Sequence, residues 1–260
     1  SSIRPQDDLF RFMNGKWLDE SVIPEDRASD GAFYWLYEQA EKQVKEIIEE
    51  QAASKSVSGS IAQKIGDLYN SFMDEDRANQ LGIKPIAAEL AKAQSFKDSK
   101  EFHQLLGELE ARGLGGLLYA YVTTDHMDSM QNIVYLGQSG LSLPDEAYYR
   151  EDSYAEIRTA FTAHIAKMFS LAGLSNGEAA AKLVLELETE IAASHWDQVK
   201  DRDATHTYNK KSFADLKAIT TLFDWPTWIA SSATPEHVLE NVIVRQPSYF
   251  EGLSKILGKF

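Results

Sequence analysis

Residues 31–50 read GAFYWLYEQAEKQVKEIIEE, a long amphipathic run near the start of the chain. Its apolar residues recur at the three- and four-residue spacing of one helical face. They are Phe33, Leu36, Tyr37, Ala40, Val44, Ile47 and Ile48. The spacing predicts a long helix that begins close to Gly31, with Ser29 or Asp30 as its cap.

The residues that follow predict more helices. A Ser/Gly-rich stretch at 54–60 separates the first run from a second helical period at 61–72, so the two helices are expected to form a hairpin. A short helix around Ile86 and Leu90 and another at 102–109 come next. Gly113 stands where a helix can end with a positive φ.

The pattern then changes to short β-prone runs. Residues 117–122 and 132–136 predict a two-stranded hairpin joined by residues 123–128. Both faces of this hairpin are apolar or aromatic, so we expect helices to cover it. A third short run, Val242 to Val244, is read as a strand without an assigned partner.

Helical periods return in the C-terminal half. One runs from Ser153 to Gly173. The next has a buried apolar stripe that includes Leu183, and it places Glu186, Glu188 and Glu190 mostly on the polar side. Three shorter helices are predicted from the Ser212/Asp215 cap, from Trp225-Pro226 and from Pro247. The predicted fold class is therefore mainly α, a multi-helix domain with a small β-hairpin.

Composition narrows the function classes. The chain has 260 residues, of which 43% are hydrophobic, and a net charge of −14, so we expect a folded protein that does not bind nucleic acid. It lacks cysteine and any apolar run long enough to cross a bilayer, so no membrane segment is predicted in this chain. The expected location is the bacterial cytoplasm, with export left open.

The chain offers few residues for catalysis. A zinc peptidase needs two histidines one helical turn apart with a glutamate between them, and none of the six histidines forms such a pair. No serine lies in a Gly-x-Ser-x-Gly turn, and no phosphate-binding loop is present. We therefore predict no catalytic residue and no metal ligand in this chain. The Asp201-Arg202-Asp203 stretch is read as an ion pair that fixes a loop.

An ordered set of segments resembles the neprilysin and endothelin-converting enzyme family of zinc endopeptidases, which includes bacterial oligopeptidases. The segments extend over nearly the whole chain. They are DDLFRFMNGKWL at 7–18 with Ile23-Pro24, Gly31-Ala32-Phe33, GIKPI at 82–86, GLSLPD at 140–145 with Tyr148-Tyr149, and QPSY at 246–249.

The resemblance implies the architecture of a two-lobed peptidase, in which a zinc-bearing lobe and a helical lobe enclose a chamber that admits peptides. Residues 1–30 are then an N-terminal strap that contacts the catalytic lobe, and residues 31–260 are the first part of the helical lobe. The resemblance places the zinc helix in later sequence, so the zinc-bearing catalytic domain is absent here. The expected partners are peptide substrates and the missing C-terminal catalytic lobe, and the chain alone is expected to be inactive and to bind no zinc.

The resemblance also assigns a substrate-binding site to Phe33, Tyr34 and Tyr37. The family places an aromatic residue at the position of Phe33, where it lines the pocket for the substrate side chain that follows the cut bond. The family positions that use arginine to hold the far end of the substrate are Ser29 and Tyr37 here, and Tyr34 stands where an acid can stand. A preference for a free substrate carboxylate is therefore not expected.

Two alternatives remain open from the residues. Phe33 also fits the apolar stripe of its helix, where it would be a plain core residue. The whole chain also fits a stand-alone helical module that binds peptides in an aromatic groove near Phe33, Tyr34 and Tyr37 without cutting them. A large exposed apolar surface on the chain would favour a missing lobe.

Overall fold

The computed structural model describes residues 3–259. The chain divides into two compact units, with the boundary between Gly82 and Ile83. The first unit contains α1 (Leu9–Glu20), α2 (Ala32–Ala53), α3 (Ile61–Phe72) and α4 (Glu75–Leu81). This boundary falls inside the stretch that was assigned to the helical lobe, and the contact of residues 1–30 with a catalytic lobe stays a prediction.

The second unit mixes helices with a small sheet. Its elements up to Arg150 are α5 (Ala87–Ala93), α6 (Ser99–Glu110), β1 (Leu118–Asp125), β2 (Asp128–Gln138) and α7 (Ala147–Arg150). After these come α8 (Ala155–Leu171), α9 (Gly177–Ala192), α10 (Gln198–Asp201), β3 (Lys210–Ser212), α11 (Phe213–Ile219), α12 (Trp225–Ser232), β4 (Asn241–Val244) and α13 (Pro247–Leu257). The prediction of a mainly α fold with a small β-hairpin is confirmed.

In the first unit, α2 and α3 form the predicted helical hairpin. Gly66 lies at the crossing, where a Cβ atom would stand 2.7 Å from the carbonyl oxygen of Gln51. The Ser60 side chain caps α3 by accepting a hydrogen bond from the Gln63 amide, at 3.1 Å. The predicted cap of α2 is wrong, because Gly31 occupies that position and offers no side-chain bond.

The sheet of the second unit has the order β1-β2-β4-β3. β1 and β2 pair antiparallel, which confirms the predicted hairpin, but the strands extend further and only His126 and Met127 separate them. β4 lies parallel to β2, with Val134 opposite Val242, and β3 lies antiparallel to β4. The strand at 242–244 therefore gains two partners that the sequence did not indicate.

The main core of this unit lies between one face of the sheet and the surrounding helices. It is rich in aromatic side chains from the C-terminal third of the chain, and the Trp225 indole donates a hydrogen bond to the Thr220 hydroxyl at 2.8 Å. The buried aromatic members are Phe223, Trp225, Trp228, Tyr249 and Phe250. The prediction that helices cover the hairpin holds only near its base, since Val122 is 64% exposed.

Two predicted helix ends are confirmed by left-handed glycines. Gly113 after α6 has φ +75° and Gly173 after α8 has φ +69°, conformations that glycine adopts at little cost. The cap of α11 is also confirmed, because Ser212 and Asp215 form a reciprocal capping box. Within residues 3–259, no helix is both long and apolar enough to cross a membrane.

One helix faces differently from its prediction. The sequence places Glu188 on the polar side of α9 and Leu183 in its buried stripe, yet Glu188 is buried and Leu183 is exposed. The reason is a set of polar partners for Glu188 that lie some forty residues earlier, described below.

Candidate functional site

The three predicted substrate-binding residues lie in the first turns of α2. Phe33 is 88% exposed, Tyr34 is 41% exposed and Tyr37 is 63% exposed. The reading of Phe33 as a core residue is therefore wrong in this structure. Phe33 and Tyr37 are one helical turn apart and share a side of α2, while Tyr34 is rotated away from Phe33. We call these three residues the aromatic turn.

Tyr34 is held from two directions. The Arg27 guanidinium lies over its ring, with Cζ 5.4 Å from the ring centroid, and the Ser29 hydroxyl lies 3.2 Å from the Tyr34 hydroxyl. A guanidinium over a tyrosine face is attracted by the ring quadrupole. Tyr34 is therefore fixed at its face and at its tip before any ligand arrives.

Tyr37 has its own partner on the same helix. Its hydroxyl is hydrogen-bonded to the Glu41 carboxylate one turn further along, and this bond raises the pKa of Tyr37 above its ordinary value. The hydroxyl stays protonated at neutral pH. The Phe33 side chain has no group that can form a hydrogen bond, so its exposed ring is the apolar part of the aromatic turn.

Arg27 is the residue at this site that sequence reasoning missed. Its guanidinium pairs with the Asp26 carboxylate at 3.0 Å and with the Glu38 carboxylate at 2.7 Å, so two acids neutralise its charge. These two hydrogen bonds raise the pKa of Arg27 above its ordinary value. The only sequence signal was an arginine shortly before an aromatic helix start, because no spacing rule pairs residues 27 and 38.

Three of the six histidines are engaged by other groups of the protein. His103 Nδ1 lies 2.6 Å from the Ser99 carbonyl oxygen, His195 Nε2 lies 3.0 Å from that of Ser139, and His206 pairs with Asp203. Burial lowers the pKa of His195, which keeps that ring neutral. Among residues 3–259, no group of three His, Cys, Asp or Glu side chains is arranged to hold a metal ion.

Glu188 is a buried acid of the second unit that accepts three hydrogen bonds. Its carboxylate accepts hydrogen bonds from the Ser142 amide at 3.1 Å, the Ser142 hydroxyl at 2.7 Å and the Tyr149 hydroxyl at 2.5 Å. These bonds tie α9 to the loop at 140–145 and to α7. The arrangement is structural, because each carboxylate oxygen accepts at least one hydrogen bond from the protein.

Two further acids brace the sheet. Asp125, with a side chain 1% exposed, pairs with Lys210 at 2.9 Å, and this bond together with those from Met127 and Tyr208 lowers the pKa of Asp125 to about 2. Asp201 does fix a loop through an ion pair, as predicted, but its partner is Arg245 at 3.2 Å instead of Arg202.

Comparison with known proteins finds metallopeptidases that are similar to this chain. Over 273 residues it is 25% identical to endothelin-converting enzyme 1 of Cavia porcellus, covering 99% of this chain and 35% of that protein. The zinc metalloprotease Zmp1 of Mycobacterium tuberculosis, solved in complex with an inhibitor, is 40% identical with a TM-score of 0.85, covering 100% of this chain and 40% of that one. PepO of Lactobacillus rhamnosis shares the fold, at 23% identity and a TM-score of 0.74, over 98% of this chain and 40% of its own.

The chain thus spans between a third and two-fifths of the length of these relatives. The sequence model for the N-terminal part of peptidase family M13 matches residues 5–259, which is nearly every residue of the chain. This confirms the resemblance to the neprilysin-like metalloendopeptidases, and the chain belongs to peptidase family M13.

Proposed function

We propose that this chain forms part of the substrate chamber of a zinc-dependent endopeptidase that cleaves peptides. In this proposal the zinc ligands and the catalytic residues lie outside these 260 residues. Membership of family M13 and the likeness to a zinc metalloprotease support the activity of the whole protein. Within residues 3–259, no three metal-ligating side chains are grouped to hold an ion, which fits zinc ligands that lie outside this chain.

The observation that carries the proposal is the exposed aromatic turn, in which Tyr34 is already held beside the free ring of Phe33. Exposed phenylalanine and tyrosine rings offer a large apolar contact, and rings that are already held lose little conformational entropy when a ligand binds. Phe33 supplies the apolar surface, while Arg27 and Ser29 hold the neighbouring Tyr34. Such a surface suits a large apolar side chain of a peptide.

The charges at the aromatic turn bear on which peptides bind. Asp26 and Glu38 already neutralise the Arg27 guanidinium, so this cation attracts a substrate carboxylate only weakly. Ser29 and Tyr37 carry no positive charge. We infer that the site accepts peptides that continue past the pocket, without a preference for a free C-terminus.

The exposed apolar surface of residues 3–82 supports the proposal that a second lobe packs against them. Gly66 is the one buried residue in this stretch, although many large apolar side chains occur in it. Exposed members include Leu9, Met13, Val22, Ile61, Leu68 and Phe72. An apolar surface of this extent is typical of an interface. We propose that the catalytic lobe of the same protein covers it, with residues 1–30 as the strap.

The test is a substitution in the full-length enzyme that contains this chain. We expect Phe33→Ala to lower kcat/KM about tenfold for peptides with a large apolar residue after the cut bond, and to affect peptides with alanine there much less. Phe96→Ala, in the second unit, is the matched control and leaves both peptides unaffected. An equal fall in kcat/KM for both peptides would contradict the contact between Phe33 and the residue after the cut bond.

The alternative of a stand-alone peptide-binding module uses the same aromatic turn. It differs in outcome, because it requires the full-length protein to bind peptides and return them intact. Incubation of the zinc-loaded full-length protein with a peptide mixture, followed by mass spectrometry, separates the two. Zinc-dependent cleavage supports the peptidase, and intact peptides with Phe33-dependent binding support the module.

A further inference from the structure

We propose that Arg27 is the positioning residue of the aromatic turn: it holds the start of α2 in the geometry that presents Phe33 to a peptide, without touching the peptide itself. The inference rests on the proposed function, because it assigns a role within the same site.

The first support is the burial of the Arg27 side chain. It is 20% exposed, whereas the Arg11 side chain in the same unit is 67% exposed. Arginine side chains on a surface are usually solvated and mobile, so a largely buried one in a unit with almost no core has a specific packing role. Its guanidinium contacts Asp26 just before α2, and Glu38 and the Tyr34 ring on α2.

The second support is the use of its donors. Nε and Nη2 bind the two oxygens of the Asp26 carboxylate at 3.0 and 3.3 Å, and Nη1 binds Glu38 Oε1 at 2.7 Å. A planar guanidinium can serve two carboxylates at once in fixed directions. Arg27 therefore links the segment before the helix to the second turn of α2, where Glu38 lies.

The third support is the weak intrinsic start of α2. Its N-cap, Gly31, has no side-chain hydrogen bond to the free amides of the first turn, and such a helix end is prone to fray. Phe33 and Tyr34 lie in that turn. The bond from Arg27 to Glu38, together with the contact over the Tyr34 ring, restrains this turn from outside the helix.

Arg27 is itself held by the backbone. Its amide donates to the Pro24 carbonyl at 3.2 Å, which closes a turn over residues 24–27. The Asp30 carboxylate then accepts the Gly31 amide at 2.8 Å, immediately before the helix. Local hydrogen bonds thus order residues 24–31, the segment that leads into α2. Within this segment, Arg27 contacts the Tyr34 ring of the aromatic turn.

The test uses the zinc-loaded full-length enzyme and a fluorogenic peptide with a large apolar residue after the cut bond. We expect Arg27→Gln to raise KM about fivefold with little change in kcat, because it weakens substrate positioning and leaves the chemistry intact. Arg27→Lys keeps the positive charge but lacks the planar guanidinium, so its KM is expected to lie between those of the parent enzyme and of Arg27→Gln. Arg11→Gln, an exposed arginine of α1, is the control.

The outcomes separate this inference from the proposed function. If Phe33→Ala raises KM and Arg27→Gln leaves it unchanged, the positioning role is overturned while the site stands. If neither substitution changes KM, the proposed site itself fails. A fall in kcat at constant KM, with equal loss of folded protein by circular dichroism, would show a merely structural role for Arg27 and would also overturn the inference.

Discussion

Glu188 shows how a single polar residue can reverse the pattern of a helix. Helical periodicity assigns it to solvent, but the residue is 8% exposed and its carboxylate accepts three hydrogen bonds from Ser142 and Tyr149. A buried carboxylate is tolerated when its oxygens are satisfied in this way. No local pattern shows these partners, because they lie 39 to 46 residues away in the sequence.

We expect Glu188→Gln to lower the free energy of unfolding of the second unit by about 2 kcal/mol, since the amide replaces one acceptor oxygen with an NH2 donor and turns the charge-assisted bonds from Ser142 and Tyr149 into weaker neutral ones. Urea denaturation followed by tryptophan fluorescence measures this change. Glu186→Gln, on the exposed face of the same helix, is the matched control and is expected to have little effect. Equal unfolding midpoints for the two variants would show that the Glu188 bonds contribute nothing.

Asp125 gives a prediction that depends on pH. Its pKa is lowered from 3.8 to about 2, first by the hydrogen bond from Lys210 and then by the Met127 amide. A lowered carboxyl pKa adds stability above the unfolded value, and that stability is lost as pH falls through the folded value. We therefore expect Asp125→Asn to be less stable than the parent chain at pH 7, with a difference that shrinks between pH 4 and pH 2.

Urea titrations at pH 7, 4 and 3 check this expectation. Asp67→Asn, an exposed acid of α3, serves as the control. A stability difference for Asp125→Asn that stays constant over this range would contradict the role of the ionised carboxylate.

At the scale of elements, the long helices and the β1–β2 hairpin were predictable, and the rest of the sheet was not. The apolar periods in α2, α3 and α8 repeat over several turns, and Gly113 and Gly173 end helices for a local steric reason. β3 has three residues, which is too short for a pattern, and the parallel pairing of β2 with β4 joins residues about a hundred positions apart. Helix α1 was also not predicted, because residues 1–30 were expected only to form a strap.

The candidate site also has a part that the sequence predicts and a part that it does not. The positions of Phe33, Tyr34 and Tyr37 on α2 follow from the helical period and the family resemblance. The ion pair from Arg27 to Glu38 does not, because it depends on how the preceding segment folds back onto the helix. Sequence can place side chains on an element, but contacts made across a turn need coordinates.

The crossing of α2 and α3 gives a prediction for an element pair. We expect Gly66→Ala to separate the two helices, because the new methyl group would stand 2.7 Å from the Gln51 carbonyl oxygen. Hydrogen exchange should then speed up in the C-terminal half of α2 and in α3. Gly115→Ala, where a Cβ has open space, is the control. Unchanged exchange in both helices would show that this close approach is not needed.

For the molecule as a whole, the two units differ in how they bury apolar residues. The second has a continuous aromatic core, while residues 3–82 leave most of their large apolar side chains exposed. We expect chymotrypsin to cut the isolated 260-residue chain first within residues 3–82, and to cut there much more slowly in the full-length protein. Equal resistance of both units in the isolated chain would contradict the proposed covering lobe.

The central claim is that this chain shapes the peptide site and leaves hydrolysis to residues outside it. The most direct measurement compares peptide cleavage by the purified 260-residue chain and by the full-length protein, each with and without added zinc. We expect zinc-dependent cleavage by the full-length protein and none by the chain alone. Zinc-dependent cleavage by the 260-residue chain itself would contradict the claim.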